Sequence, residues 1–143
     1  MVMFAGLEEF RKRHHTLYDV LELVAVVLVA WIFYQGLGVA LQTPSPMLSV
    51  VSGSMEPNLH VGDLLVMAKA DYQVGDIAAY LRPGGVLIIH RIIEIRADGF
   101  VFKGDHNNAP DPQVVAPQQI IGKVRLAVPM LGFPRLVLHW FGI

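Results

Sequence analysis

Leu23 to Leu41 reads LVAVVLVAWIFYQGLGVAL, 19 residues without a charged side chain. At about 1.5 Å per residue, a helix of that length nearly crosses the roughly 30 Å hydrocarbon core of a bilayer. A buried helix of the same composition would need a large domain wrapped around it, whereas the rest of this chain reads as short strands. Arg11, Lys12 and Arg13 precede the stretch, and Gln42, Thr43, Pro44, Ser45 and Pro46 follow it without charge. The positive-inside rule then predicts a cytoplasmic N-terminus and an extracytoplasmic remainder. A cleavable leader fits less well, because Gln-Thr-Pro-Ser-Pro offers no small-x-small cut site. The chain divides into residues 1–18 as a short cytoplasmic segment, 19–42 as a transmembrane helix and 43–143 as an outer β domain, joined by a stiff proline-rich linker that keeps the domain near the lipid.

Composition agrees with this division. Of 143 residues, 54% are hydrophobic and 16% charged, below the usual charged quarter of a soluble domain, so the composition argues against disorder and the apolar excess needs a home beyond one small core. Eleven Lys and Arg against twelve Asp and Glu leave no basic face for nucleic acid. With no cysteine there is no disulfide framework and no thiolate metal site.

Beyond residue 46 the pattern becomes that of strands. Met47–Ser52, Leu64–Lys69, Asp76–Leu81, Val86–Arg96, Phe100–Lys103 and Ile120–Val128 are β-rich, with Arg82-Pro83-Gly84-Gly85 and Asp98-Gly99 as hairpin punctuation. The absence of a convincing helix between them favours an antiparallel sandwich or partly open barrel over βαβ units. Val61-Gly62-Asp63 recurs as Val74-Gly75-Asp76, each before a strand, but two copies of three residues do not make a repeat architecture. The stretch 126–143 is apolar yet broken by Pro129, Pro134, Arg135 and His139; with Trp140 and Phe141 it suits a tail lying on the membrane surface or packed on the domain better than a second span.

Three segments carry side chains with chemistry. In Ser52-Gly53-Ser54-Met55-Glu56-Pro57-Asn58 a serine beside glycine suits display on a sharp turn, with backbone N–H groups free to bind an oxyanion. The same residues also make an ordinary β-turn, and Gly-x-Ser-x-Gly is absent, which removes an α/β-hydrolase. His90, within Val86–Ile93, shares a strand face with Ile88 and Ile92, a setting equally natural for a structural histidine. Lys103-Gly104-Asp105-His106-Asn107-Asn108-Ala109-Pro110-Asp111-Pro112 has loop composition, but the prolines on either side of Asp111 restrict its backbone and can fix its carboxylate. An aspartate held against one ring nitrogen of a histidine orients the other toward a serine.

In this order, downstream of the apolar helix, the S-G-S-M-E-P, V-G-D, H-R-I and G-D-x-N-x-x-x-D stretches resemble signal peptidase I, in its archaeal and endoplasmic-reticulum branch, over roughly residues 20 to 130. The resemblance implies a mainly β fold, a signal-peptidase-like β domain with an N-terminal transmembrane helix. It implies Ser54 as the acyl-forming nucleophile, His90 where the bacterial branch carries its lysine base, Asp111 as the triad carboxylate, Asp105 as a supporting acid and Ser52 as part of the oxyanion hole with the Ser54 N–H. Spacing leaves open which of Asp105 and Asp111 meets His90, Asp111 being the favoured partner. An imidazole titrates near neutrality, while a lysine must be strongly depressed to act as base.

The implied activity is that of a membrane-anchored serine endopeptidase removing N-terminal signal peptides from exported preproteins, cutting after small residues in an A-x-A pattern at the outer face of an archaeal plasma membrane or the endoplasmic reticulum. No cofactor and no metal is implied: His60 and His106 read as exposed loop residues, and neither HExxH nor thiolates accompany them and Asp105. Expected partners are signal-peptide-bearing preproteins, the lipid bilayer, and the translocon or other signal peptidase subunits. The competing readings are a membrane-anchored module that holds exported peptides without cutting them and a self-cleaving repressor-type protease. The first calls for a missing triad member; the second wants a Ser-Lys dyad and a DNA-binding domain, where this chain has an apolar helix.

Overall fold

A computed structural model describes residues 15–133. The basic flank at 11–13, on which the expected orientation rests, and the tail from Pro134 onward, with Arg135, His139, Trp140 and Phe141, lie outside the described residues. The chain forms two compact units that divide between Leu37 and Gly38.

Helix α1 runs His15–Ala40, and none of its residues is buried. Leu23, Val26, Ile32 and Phe33 are each about two-thirds exposed, so this apolar surface is left uncovered by the described residues. Among the described residues it is the one helix long and apolar enough to cross a membrane. A helix that is hydrophobic all round needs an apolar solvent, and lipid supplies it. One such helix fits a single-pass membrane protein.

The second unit is a six-stranded antiparallel sheet built from β1 (Met47–Ser49), β2 (Leu64–Ala68), β3 (Ile77–Leu81), β4 (Leu87–Arg96), β5 (Gly99–Lys103) and β6 (Ile120–Val128). Their spatial order is β1-β2-β6-β3-β4-β5, with every pair antiparallel. The last strand therefore inserts between β2 and β3. The mainly β, antiparallel fold is as expected; where a sandwich or a partly open barrel was the expected form, the strands make one sheet with cores on both faces. Ala78, Ala79 and Tyr80 are successive and fully buried, and because neighbouring strand residues point to opposite faces, β3 must be covered on both. Ala79 joins Leu48, Val50, Met55, Leu59, Leu65 and Met67. Ala78 and Tyr80 join Ile92, Phe102, Val115 and Ile120. Segments between strands, not a second sheet, supply the cover. Register shifts at Val66/Met67, Ala79/Tyr80 and Ile92/Glu94 are bulges of the kind that bend a sheet toward such cover.

The two V-G-D copies make the same turn. Asp63 N–H donates to the His60 carbonyl and Asp76 N–H to that of Gln73, both at 3.1 Å. In return Asp63 Oδ2 accepts from His60 N–H and Asp76 Oδ2 from Gln73 N–H, each at 2.9 Å. Gly62 and Gly75 both sit at φ +98°, the left-handed region that the third residue of a type II turn requires.

Residues 41–46 belong to the β unit and are not a free spacer. Lys69 N–H reaches the Leu41 carbonyl and Met67 N–H that of Pro46, both at 2.9 Å, while the buried Thr43 hydroxyl donates to the Ile121 carbonyl. At the other end Gly132 N–H bonds to Gly62 O at 2.8 Å and the Phe133 ring covers Gly62, so the described start of the tail packs on the domain.

Candidate active site

Ser54 lies in a single 3₁₀ turn, Gly53–Met55, closed by Glu56 N–H on the Gly53 carbonyl. Met55 is 1% exposed and anchors the turn in the first core. Burying one residue of so short a turn leaves its neighbour on the open side, and there the Ser54 hydroxyl meets β4. The Ser54 carbonyl is held by His106 N–H at 2.9 Å, which ties the turn to the loop after β5. That approach leaves no room at Gly104, where a Cβ would stand 2.7 Å from the Ser54 carbonyl oxygen.

His90 is in the middle of β4, opposite Ala78 in β3, and is 6% exposed. Its Nε2 lies 3.2 Å from Ser54 Oγ and its Nδ1 2.7 Å from Asp111 Oδ2. A carboxylate only accepts, so Nδ1 carries the proton and the neutral ring offers Nε2 as acceptor to the serine hydroxyl. Asp111 returns to the sheet through its N–H on the Phe102 carbonyl at 2.8 Å, and its side chain is 6% exposed. The structure thus brings together Ser54, His90 and Asp111 from a turn, a strand and a loop.

Asp105 is not hydrogen-bonded to His90; its partners are Arg91 and Asn58. Arg91 grips it with Nε on Oδ1 at 2.8 Å and a terminal guanidinium nitrogen on Oδ2 at 2.7 Å. Asn58 Nδ2 adds a third donor at 2.8 Å. The Arg91 hydrogen bond above all, with Asn58 and the guanidinium charge behind it, holds the Asp105 carboxyl below its usual range despite partial burial. Arg91 also donates to the Gly75 carbonyl at 2.7 Å. Four segments meet here: the turn after Ser54, the V-G-D turn, β4 and the loop leading to Asp111.

Ser52 Oγ stands 3.3 Å from Ser54 Oγ, on the exposed side of the turn. His60 and His106 are exposed. Among the described residues no group of three His, Asp or Glu side chains is placed to hold a metal ion.

Three contributors escape the sequence reading. Arg91 and Asn58 stand inside the quoted motifs but received no role, although an arginine next to a buried histidine in a loop-rich acidic site is a charge in search of a partner. Tyr80 reads as one more core aromatic; it is fully buried, yet its hydroxyl donates to Asp111 Oδ2 at 2.7 Å. Burial first, and then the bond to Asp111 and its charge, push the Tyr80 phenol well above its ordinary value against a smaller opposing pull from Arg82. The phenol is therefore a donor at any working pH.

A cleft of about 70 Å³ opens beside Ser54 and His90. Its walls are Val50, Val51 and Ser52 on one side and Leu87, Ile88 and Ile89 on the other, with Met55 at the serine turn. A hydroxyl within reach of an imidazole that is oriented by a buried carboxylate, at the mouth of a narrow apolar cleft, is an arrangement suited to acyl transfer.

No family model matches the chain. Among curated proteins it is 33% identical to the signal peptidase complex catalytic subunit sec11 of Penicillium rubens, over 84% of this chain and 77% of that protein. It is 35% identical to the counterpart from Pyrenophora teres f. teres over 84% of this chain and 79% of the relative. With the subunit from Schizophyllum commune identity is 30%, over 94% of this chain and 87% of the relative. Identity at this level over so much of both partners, on a β unit that holds Ser, His and Asp in contact, places the chain in the signal peptidase family with the sec11 catalytic subunits, serine endopeptidases that remove signal peptides.

Proposed function

We propose that this chain cuts signal peptides from exported preproteins with Ser54 as nucleophile, His90 as general base, Asp111 as the carboxylate that orients His90, Asp105 as a support of the site and Ser52 as an oxyanion-hole donor. His90 Nε2 takes the Ser54 proton as Oγ attacks the scissile carbonyl. The Ser52 hydroxyl and the Ser54 N–H stabilise the oxyanion. The imidazolium then hands its proton to the leaving amine, and water, activated by the same ring, releases the acyl-enzyme. These side chains account for each proton, and the scheme calls for no cofactor. The observation that carries the reading is the unbroken contact chain Ser54 Oγ, His90 Nε2, His90 Nδ1, Asp111 Oδ2.

The cleft supports a preference for small residues before the cut. A space of about 70 Å³ lined by Val51, Leu87 and Ile88 suits small apolar side chains better than large ones. The substrate enters as an extended segment between residues 50–52 and 87–89, satisfying its backbone by β-augmentation.

Helix α1 anchors the enzyme, with residues 1–18 cytoplasmic and 43–143 on the outer face of an archaeal plasma membrane or the endoplasmic reticulum. Arg11, Lys12 and Arg13 ahead of the helix, and no charge at 42–46 behind it, support that orientation. Confinement to the substrate's own membrane raises the effective concentration of the cut site. The relatives are named as subunits of a signal peptidase complex, which supports further subunits as partners of this chain; the translocon is proposed beside them as the source of the preprotein.

The test is cleavage of a preprotein by the full chain in detergent or liposomes. Ser54→Ala abolishes the cut if the assignment holds; retained cleavage overturns it.

A further inference from the structure

The geometry points to Tyr80 as a positioning residue for the reaction, a buried donor that fixes the Asp111 carboxylate against His90. The inference rests on the Ser54, His90 and Asp111 roles proposed above.

Tyr80 is on β3, two residues from Ala78, which faces His90 across the β3–β4 ladder, so the phenol and the imidazole share one face of the sheet. Its ring packs on Phe102 at 4.6 Å between centroids, tilted by 36°. From that fixed base the hydroxyl reaches Asp111 Oδ2 at 2.7 Å, the same oxygen that His90 Nδ1 meets at 2.7 Å. Two donors from adjacent strands thus converge on one carboxylate oxygen. The Asp111 backbone is pinned by the bond to Phe102, but that leaves the two side-chain torsions free to turn. A single bond from the imidazole cannot both orient the ring and be oriented by it. Tyr80 supplies a second reference, because its ring is held against Phe102 and not by the imidazole.

A phenylalanine keeps the ring, the contact with Phe102 and the burial, and removes the hydroxyl, with its bond to Asp111 and its weaker interaction with Arg82. Tyr80→Phe in the full chain in detergent is expected to lower kcat on a preprotein about tenfold, as for one charge-assisted hydrogen bond. KM stays within about twofold, because the cleft is untouched and a group acting only on the chemical step moves kcat. A melting curve measured alongside shows whether the variant folds as the parent does. The second arm is Asp111→Asn alone and combined with Tyr80→Phe. Since Tyr80 acts through Asp111, the double variant is expected to be no slower than Asp111→Asn. Parental kcat in Tyr80→Phe, a loss confined to KM, or a full further loss on the Asp111→Asn background each overturns the positioning role while leaving the triad intact. Parental activity in Asp111→Asn removes both, so the two failures are told apart.

Discussion

His90 Nδ1 and Asp111 Oδ2 stand 2.7 Å apart with side chains only 8% and 6% exposed. Asp105, six positions earlier on the same loop, instead has a bidentate arginine and an asparagine for company. The two aspartates thus meet different partners, and different roles are proposed for them. Asp111→Asn presents an amide where the imidazole needs an acceptor and favours the wrong tautomer; a loss of about a thousandfold or more in kcat is expected. Asp105→Asn keeps the carbonyl acceptor but drops the charge facing Arg91, and costs about tenfold or less, with lowered melting temperature. Single-turnover cleavage by the two variants decides the ranking, and a larger loss from Asp105→Asn would reverse it.

The Arg91–Asp105 pair also sets a pH dependence of stability. Its first cause is the Arg91 hydrogen bond, which depresses the folded carboxyl. A depressed acid stabilises the fold above its unfolded value, near 4, and loses that contribution as pH falls through the folded value. Asp76 behaves alike: burial raises its carboxyl, but the Lys123 bond at 2.8 Å and the Gln73 N–H outweigh that and leave it low. Wild type is therefore expected to melt about 5 °C above Asp105→Asn at pH 7, for a contribution of about 1 kcal/mol, with the gap closing below pH 4. A gap that stays constant down to pH 3 would show that the carboxylate charge contributes nothing.

The local punctuation explains why the strands were legible. The V-G-D turns and Arg82-Pro83-Gly84-Gly85 mark chain reversals by their own chemistry, and β2, β3, β4 and β6 start or stop within a residue or two of them or of their apolar runs. β1 ends early, at Ser49, because Val50 bonds instead to Asp63 and Gly62. Strand order is different in kind. Nothing near Ile120–Val128 says that it will separate β2 from β3, since that order rests on backbone pairing with two strands far away along the chain. The same limit governs the site. Ser54, His90 and Asp111 stand out as residue types in quotable motifs, whereas Tyr80 gains a role only when β3 and the loop after β5 meet, and the division of labour between Asp105 and Asp111 depends on which way each carboxylate turns.

A lysine in place of His90 is expected not to rebuild the proposed base. The imidazole bridges two partners, Ser54 and Asp111, through opposite nitrogens of a rigid ring. A lysine has one nitrogen on a flexible stem, and next to a buried carboxylate its ammonium is held in the charged form. His90→Lys is expected to be as inactive as His90→Ala from pH 6 to 9. Recovery to within about tenfold of the parent would show an environment permissive of either base, against a requirement of about 10²–10⁴-fold for a positioned proton acceptor.

Widening the cleft tests its part in selectivity. Leu87 and Ile88 form one wall, and Leu87 is 36% exposed, so shortening it disturbs the core little. Leu87→Ala adds room where the side chain before the cut is expected to sit. A preprotein with valine or leucine in place of alanine at that position should gain about tenfold in kcat/KM relative to the alanine substrate, the discrimination that a few methylenes supply in an apolar pocket. The same variant leaves Ser54, His90 and Asp111 in place, so kcat on the alanine substrate stays within about threefold of the parent. Competition between the two preproteins in one reaction reads the ratio directly. An unchanged ratio would mean that the wall formed by Leu87 does not face the substrate, and would move the specificity surface to the side lined by Val50 and Val51.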